Sequence, residues 1–160
     1  MTTRSRLFVT AGLVILVGAG TLALAQAKKE KASGRGMYSS TDVDKMTLLD
    51  GTTLLNTHDK GFLVGNEPSN PMDGNCHDCF ATWILAADGS VIQRKGHCVG
   101  IDRAGDTWTI WFGEGKPGTW GFIGGTGKFK GMVGGGTFDL VHKWSDGRYA
   151  ITWEGSWEKK

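Results

Sequence analysis

The chain has 160 residues and a formal net charge of +2, with 39% hydrophobic and 21% charged residues. This length is enough for one domain with one hydrophobic core. Arg4 and Arg6 account for the excess of positive charge, so residues 28–160 are neutral overall. A neutral chain has no electrostatic footprint for nucleic acid, which excludes nucleic acid as a partner.

Residues 1–27 carry the features of a secretory signal. Arg4 and Arg6 precede an uncharged run that starts at Leu7 and ends at Ala27 with small residues at alternate positions. This order predicts a Sec-type signal peptide, cleaved after Ala27, and therefore a periplasmic or secreted protein. The alternative is an uncleaved membrane anchor, because the uncharged run is long enough to cross a bilayer. Only the anchored form would have the membrane as a partner.

Residues 28–40 are rich in Lys, Glu, Ser and Gly and contain few apolar side chains. Such a composition predicts a flexible lead-in. The folded domain is therefore expected to comprise residues 41–160, in which no stretch has a convincing helical period.

Two Asp-Gly pairs predict β-hairpins. Asp50-Gly51 and Asp88-Gly89 each separate two apolar segments, and this pair of residues favours a tight type I′ turn. Residues 61–64 predict a further short strand. Residues 66–75 are rich in Pro, Asn, Ser and Asp and predict an excursion outside the sheet.

The second half of the chain alternates apolar and polar residues with a period of two. Trp108, Ile110 and Phe112 share one face of a predicted strand, and residues 149–157 show the same alternation. Between these strands glycine is frequent enough for a sheet to bend sharply and close on itself. The pattern predicts an all-β fold, a single antiparallel up-and-down β-barrel of about eight strands.

Three cysteines, Cys76, Cys79 and Cys98, lie in a chain that we expect to be oxidised after export. The second Asp-Gly hairpin places Cys79 opposite Cys98, which predicts a disulfide between them and a free thiol at Cys76. Two alternatives remain open. One is a metal site formed by the cysteines with His77 or His97, and the other is a redox pair of Cys76 with Cys79. We assign no metal ligand.

The chain has seven tryptophans, more than a core of this size normally needs. Those on inward rows either fill the barrel or line a cavity for a flat, apolar ligand. His142 shares a predicted strand face with Phe138 and is expected to be an inner polar residue rather than a catalyst. The candidate ligand-binding residues are Trp83, Trp108, Phe138, His142, Tyr149 and Trp153.

The chain lacks a recognisable catalytic or nucleotide-binding motif, because the spacing of its glycines fits neither a phosphate loop nor a dinucleotide fingerprint. We therefore predict no cofactor and name no catalytic residue. Asp102 and Asp106 flank a short turn. They are interpreted as turn caps, with a calcium site as the alternative.

Residues 124–129, GGTGKF, are followed by Gly131 and by glycines at 134–136. In this element the chain resembles the allene oxide cyclase and dirigent family of small β-barrels, and the resemblance covers residues 79–157. It implies a barrel with an internal cavity, because members of the family bind apolar or phenolic small molecules and steer cyclisation or coupling by holding one conformer. No position matches the catalytic acid of the cyclase. The cysteine-rich segment 76–98 departs from the plant members and suggests an exported bacterial branch.

We therefore expect an exported β-barrel protein that binds a small apolar or aromatic molecule in its interior. A barrel enzyme that steers cyclisation or coupling by orienting its substrate is one alternative. A structural or assembly subunit with a packed barrel and no ligand is the other.

Overall fold

The computed structural model describes residues 29–67, 69–113 and 115–160, and the predicted signal peptide, residues 1–27, lies outside them. None of the described residues belongs to a helix long and apolar enough to span a membrane. The described secondary structure consists of a short 3-10 helix, Gly127–Phe129, and the strands β1 (Glu30–Thr47), β2 (Thr53–Gly65), β3 (Cys76–Leu85), β4 (Val91–Ile101), β5 (Thr107–Gly113), β6 (Gly118–Gly125), β7 (Met132–Lys143) and β8 (Arg148–Lys159).

The strands form one closed antiparallel barrel. Each strand pairs with the next one in the chain, and β8 pairs with β1 to close the sheet. Closure leaves no strand with an unpaired edge. The predicted all-β, up-and-down barrel of about eight strands is confirmed.

β1 starts earlier than the sequence predicts. Residues 30–40, expected to be a flexible lead-in, form the first part of β1 and pair with both β2 and β8. The buried positions of this segment are small, namely Ala32, Gly34 and Gly36. A Cβ atom at Gly34 would lie only 2.8 Å from the Trp153 ring. The low apolar content of the segment therefore reflects a strand that leaves room for large side chains of β8, and not a lack of structure.

Both Asp-Gly hairpins are present. Gly51 and Gly89 have φ values of 85° and 81°, a left-handed conformation that glycine adopts without strain. β2, however, continues without a break from Thr53 to Gly65. The predicted short strand at 61–64 is therefore the end of β2, because the polar residues 56–60 before it also belong to β2.

A bulge in β7 moves His142 to the outside of the barrel. The register between β7 and β8 shifts between Leu140 and His142, so that Leu140 pairs with Ile151 while His142 pairs with Ala150. His142 is exposed and its ring lies 4.5 Å from that of Trp144. Its predicted place on the inward face is wrong, because one extra residue in a strand reverses the alternation of the residues that follow.

One end of the barrel is covered by residues 66–67 and 69–75, which belong to the predicted excursion outside the sheet. The carboxylate of Glu67 accepts hydrogen bonds from the backbone nitrogen and the hydroxyl of Ser33, at 2.9 and 3.0 Å. A carboxylate oxygen of Asp73 accepts a hydrogen bond from the backbone nitrogen of Gly65 at 2.8 Å. These contacts hold the segment against β1 and β2, and the side chain of Met72, within the segment, is buried.

Residues 124–129 help to close the same end. They finish β6 and enter the 3-10 helix, and the Phe129 side chain is completely buried. The Thr126 hydroxyl accepts a hydrogen bond from the backbone nitrogen of Thr107 at 2.8 Å. The Lys128 ammonium lies 2.8 Å from a carboxylate oxygen of Asp102. In this chain the element therefore fixes the turn between β6 and β7 against the turn between β4 and β5.

Candidate functional site: the barrel cavity

The barrel is hollow, and its interior holds a cavity of about 950 Å³ lined by side chains from every strand. The floor lies at the covered end, where Met72 and Trp108 contact the cavity. The mouth lies at the opposite end, between the turns that contain Gly89 and Gly115. Cavities of about 300–1,000 Å³ are typical of small-molecule sites.

All the predicted ligand-binding residues except His142 line this cavity: Trp83, Trp108, Phe138, Tyr149 and Trp153. They belong to four strands, so closure of the barrel brings them together. Trp108 is completely buried at the floor, whereas Trp83 and Phe138 are partly exposed. Their role in ligand binding stays a prediction.

Asp59 is the buried carboxylate of the cavity wall, with a residue exposure of 3%. Its oxygens accept hydrogen bonds from the hydroxyls of Ser40 at 2.5 Å, Thr57 at 3.2 Å and Tyr149 at 3.2 Å. Hydroxyl donors of this kind stabilise a carboxylate away from water. The wall thus contains an acceptor group that is held in place from three strands.

Two tyrosines stack beside this carboxylate. The rings of Tyr38 and Tyr149 are 4.8 Å apart and nearly parallel, at 3°. Burial, together with the negative charge of Asp59, raises the pKa of both phenols well above the usual value, so both stay protonated. The Tyr149 hydroxyl is committed to Asp59, whereas the Tyr38 hydroxyl donates to no described residue.

His77 lies near the floor and is neutral. Burial lowers the pKa of its imidazole to about 4. The ring packs edge-on against Tyr38, with centroids 4.9 Å apart, and neither ring nitrogen has a hydrogen-bond partner among the described residues. The indole nitrogens of Trp108 and Trp153 are also buried without a described partner. Unpaired buried polar atoms reduce stability, and such local losses are typical of functional sites.

Arg94 lies near the mouth between two aromatic rings. Its guanidinium carbon is 5.0 Å from the centre of the Trp83 ring and 4.9 Å from that of Phe138. All three side chains line the cavity. This cation–π arrangement places a positive charge beside the aromatic surface of the cavity.

The predicted disulfide between Cys79 and Cys98 is present, and both residues line the cavity. The register of β3 and β4 places them directly opposite each other, as the hairpin at Asp88-Gly89 predicts. Cys76 is free and exposed on the outer surface. This pairing overturns the alternative of a redox pair between Cys76 and Cys79, because Cys79 is already bonded to Cys98.

Asp102 and Asp106 lie in the turn between β4 and β5, at the covered end of the barrel. Asp102 accepts hydrogen bonds from the backbone nitrogens of Ala104 and Asp106, at 2.8 and 2.9 Å, and pairs with Lys128. This arrangement confirms the interpretation of Asp102 as a turn cap. The Asp106 carboxylate instead accepts a hydrogen bond from the backbone nitrogen of Lys128, at 2.8 Å, in the neighbouring turn. Within residues 29–67, 69–113 and 115–160 no group of His, Cys, Asp and Glu side chains is suited to hold a metal ion.

Sequence reasoning missed Asp59, Tyr38 and Arg94. The signal for Asp59 was available, because a period of two carried on from Leu55 to Leu63 places Asp59 on the inward face. Sequence reasoning instead predicted a separate short strand at 61–64 and left residues 56–60 unassigned. Tyr38 was missed because it lies in the segment expected to be a lead-in.

These features define a class of protein, a hollow, closed, eight-stranded β-barrel with an aromatic interior and a buried carboxylate. No protein-family model and no curated protein matches the chain. Among solved structures it is similar to the pterocarpan synthase dirigent protein GePTS1, with a TM-score of 0.52 and 11% identity over 98% of this chain and 100% of that one. It is also similar to the pterocarpan synthase dirigent protein PsPTS1, with a TM-score of 0.51 and 12% identity over 84% of this chain and 97% of that one.

At such low identity the similarity shows the fold alone, a dirigent-like barrel. The fold implied by the resemblance of residues 79–157 is thereby confirmed. The value of residues 124–129 as a family motif stays a prediction.

Proposed function

We propose that this protein is an exported barrel that binds a small apolar or aromatic molecule in its cavity. The observation that carries the proposal is the cavity of about 950 Å³, whose aromatic and aliphatic walls hold the buried carboxylate Asp59. Concave, mostly apolar sites with a few placed polar groups are typical of small-molecule binding. Export is supported by the Cys79–Cys98 disulfide, because disulfides persist in oxidising compartments, and by the residue order of positions 1–27.

The polar groups of the wall favour a ligand that carries a hydroxyl. A carboxylate has about four acceptor positions, and Asp59 uses three of them for hydroxyl donors. The Tyr38 hydroxyl lies within electrostatic range of Asp59 and is a donor without a described partner. A hydroxyl on the ligand would donate to Asp59 and accept from Tyr38, while its ring packs against the aromatic wall.

Titration with 1-naphthol and with naphthalene, followed by tryptophan fluorescence, tests this function. Both rings should change the emission of the cavity tryptophans, and 1-naphthol should bind about tenfold or more tightly, since its hydroxyl gains hydrogen bonds to a charged group. Ala81→Phe, which fills the cavity from β3, should abolish both responses. Thr152→Phe on the outer face of β8 is the matched control and should bind like the wild type.

Binding that survives Ala81→Phe in a folded protein would contradict the cavity as the site. No response to either ring, or to a fatty acid such as oleate, would contradict the binding function and favour the structural or assembly subunit. Circular dichroism and a melting curve for each variant show that the barrel is intact.

A barrel enzyme that steers cyclisation or coupling is the second candidate. It is favoured by a carboxylate, a phenol and a neutral imidazole around one cavity, and by the dirigent-like fold. Such an enzyme works by holding the substrate in one reactive conformer and placing a proton acceptor beside it. The test is to follow a bound ligand by NMR over time. The wild type should convert the ligand, and Asp59→Asn should lose this conversion while it still binds naphthalene.

A further inference from the structure

Basic side chains line the cavity near its mouth. Arg94 of β4, Lys116 of the turn between β5 and β6, and Lys143 at the end of β7 all contact the cavity. Among the described residues that line this part of the cavity, Asp139 is the acidic one. These lining residues therefore carry a net positive charge, and we call Arg94, Lys116 and Lys143 the basic group of the mouth.

The bulge in β7 places Lys143 on the inner face of the barrel. Residues that pair directly across two strands lie on the same face of the sheet. Lys143 pairs with Tyr149, which lines the cavity, whereas His142 pairs with Ala150. Without the extra residue, position 142 would take the inner place opposite Tyr149. The bulge thus exchanges an imidazole for an ammonium group at the cavity.

The two lysines of the basic group are exposed, and neither Lys116 nor Lys143 forms an ion pair with a described residue. Acidic residues of the turns around the mouth are engaged within those turns. Asp50 and Asp88 each accept a hydrogen bond from the backbone nitrogen two positions further on, at 2.9 Å. Asp146 pairs with the arginine two positions further on, at 2.7 Å. The two lysines are therefore available to an anion at the mouth.

Arg94 connects the mouth with the polar centre of the cavity. Its guanidinium packs against the rings of Trp83 and Phe138. Burial and the charge of Asp59 raise the pKa of Tyr149, and the positive charge of Arg94 acts in the opposite direction. The charge of Arg94 is therefore felt at the hydroxyl that is bonded to Asp59.

The strand register separates Arg94 from Asp59 along the barrel. Asp59 pairs with Cys79, and Arg94 pairs with Trp83, which lies four positions further along β3 towards the mouth. At about 3.3 Å per residue, the two rows are about 13 Å apart along the strands. The Arg94 side chain covers part of this distance. A flat molecule with polar groups at opposite ends spans the rest.

We propose that the basic group of the mouth binds a carboxylate of the ligand, so that the ligand is an aromatic hydroxy acid. This inference rests on the proposed binding function. The hydroxyl of the ligand reaches Asp59 and Tyr38, and its ring lies beside Trp83 and Phe138. The carboxylate lies at the mouth, where a guanidinium and ammonium groups give charge-assisted hydrogen bonds. The reverse orientation would bring the carboxylate next to Asp59, and like charges repel.

Calorimetric titration of the purified protein with 6-hydroxy-2-naphthoate and with 6-hydroxy-2-naphthamide tests this inference. The two molecules have nearly the same shape and the same hydroxyl, and only the first is negatively charged. At low ionic strength the acid should bind about tenfold more tightly than the amide, because it gains charge-assisted hydrogen bonds. Added sodium chloride should reduce this ratio of affinities, because salt screens charges at an exposed site.

Substitutions in the basic group test where the carboxylate binds. Lys143→Gln should lower the ratio of affinities about threefold, as expected for an exposed ion pair. Arg94→Gln should lower it further, because the guanidinium is less exposed than the ammonium group of Lys143. Lys95→Gln is the matched control, because Lys95 is exposed next to Arg94 but does not line the cavity, and it should keep the ratio of the wild type. Melting curves show that each variant is folded.

Titration with 2-naphthol separates failure of this inference from failure of the proposed function. If 2-naphthol binds but the acid binds no more tightly than the amide, this inference alone is wrong. A ratio that Lys95→Gln lowers as much as Lys143→Gln would also overturn it, because the effect would then come from the overall charge of the protein. Binding of decanoate without binding of the naphthoate would contradict the aromatic class of the ligand. If neither 2-naphthol nor either acid binds, the proposed function and this inference both fail.

Discussion

The hydroxyl of Tyr149 donates a hydrogen bond to a carboxylate oxygen of Asp59 across 3.2 Å, although the two residues are 90 positions apart in the chain. β8 carries the phenol and β2 carries the carboxylate, and β1 lies between them in the closed sheet. Tyr38 of β1 stacks on Tyr149 and completes the group. The polar centre of the cavity therefore forms only when the barrel closes between its first and last strands.

Asp59→Asn should lower both the stability of the barrel and its affinity for 1-naphthol. An amide offers one oxygen acceptor in place of two, so at least one of the hydroxyls of Ser40, Thr57 and Tyr149 loses its partner. The free energy of unfolding should fall by about 1–3 kcal/mol in denaturant titrations. Asp44→Asn, at an exposed position of β1, is the control and should change neither quantity. An Asp59→Asn variant with the stability of the wild type and unchanged affinity for 1-naphthol would show that Asp59 does not belong to the site.

The stability of the protein should fall as pH decreases through the range in which His77 titrates. Its pKa is lowered to about 4 in the fold, from an ordinary value of 6.5, because the ring is buried. Between these values the unfolded chain binds a proton that the folded chain does not, so stability is fully present above pH 6.5 and is lost towards pH 4. The loss attributable to His77 is about 3 kcal/mol.

His77→Phe keeps the ring and removes the titration, so denaturant unfolding at several pH values isolates this effect. The variant should lose much less stability than the wild type between pH 6.5 and 5, where few carboxylates titrate. His142→Gln, which removes an exposed imidazole from the outer surface, is the control. Parallel slopes for the wild type and His77→Phe would contradict the neutral, buried state of His77.

Gly100→Ala should destabilise the barrel, because a Cβ atom there would overlap the indole ring of Trp108. Trp108 is completely buried at the cavity floor, so the ring cannot move towards solvent. Overpacking of this kind costs about 1–3 kcal/mol, measurable by thermal or denaturant unfolding. Gly124→Ala in β6 is the matched control, since its Cβ atom would meet nothing within 4 Å. Equal effects of the two substitutions would show that the floor is not packed as described.

Replacing Cys79 and Cys98 together by serine should lower the free energy of unfolding by about 3 kcal/mol, because the bond restricts the unfolded chain. Cys76→Ser, on the outer surface, should leave the stability of the monomer unchanged. Mass spectrometry of the alkylated wild type should find one reactive thiol before reduction and three after it. Three reactive thiols in the untreated protein would contradict the disulfide.

Patterns among neighbouring residues predicted much of the fold. The period of two in Trp108–Phe112 and in residues 149–157, and the Asp-Gly turns, are properties of neighbouring residues, so they predicted strands, hairpins and the opposition of Cys79 and Cys98. The glycine-rich second half indicated a closed sheet. The same reasoning failed at residues 30–40. The small inward residues there leave space for tryptophan side chains of β8, a strand far along the chain.

The candidate site was only partly accessible from sequence. Trp83, Trp108, Phe138, Tyr149 and Trp153 were found because large apolar residues on a strand face the interior of a barrel. His142 was misplaced because no local signal marks the bulge after Leu140. Asp59 was missed because a single polar residue gives no sign of burial in a strand. Its hydroxyl partners on other strands are known only from the structure.

The sequence by itself determined an all-β chain with alternating rows, tight turns and one cross-strand disulfide, because turn chemistry and side-chain alternation act over a few residues. Tertiary structure decided where the barrel closes, that its interior is hollow, and which polar groups meet inside it. Those outcomes depend on register and bulges between strands that are distant in the chain, and such pairings are fixed by the closed sheet as a whole.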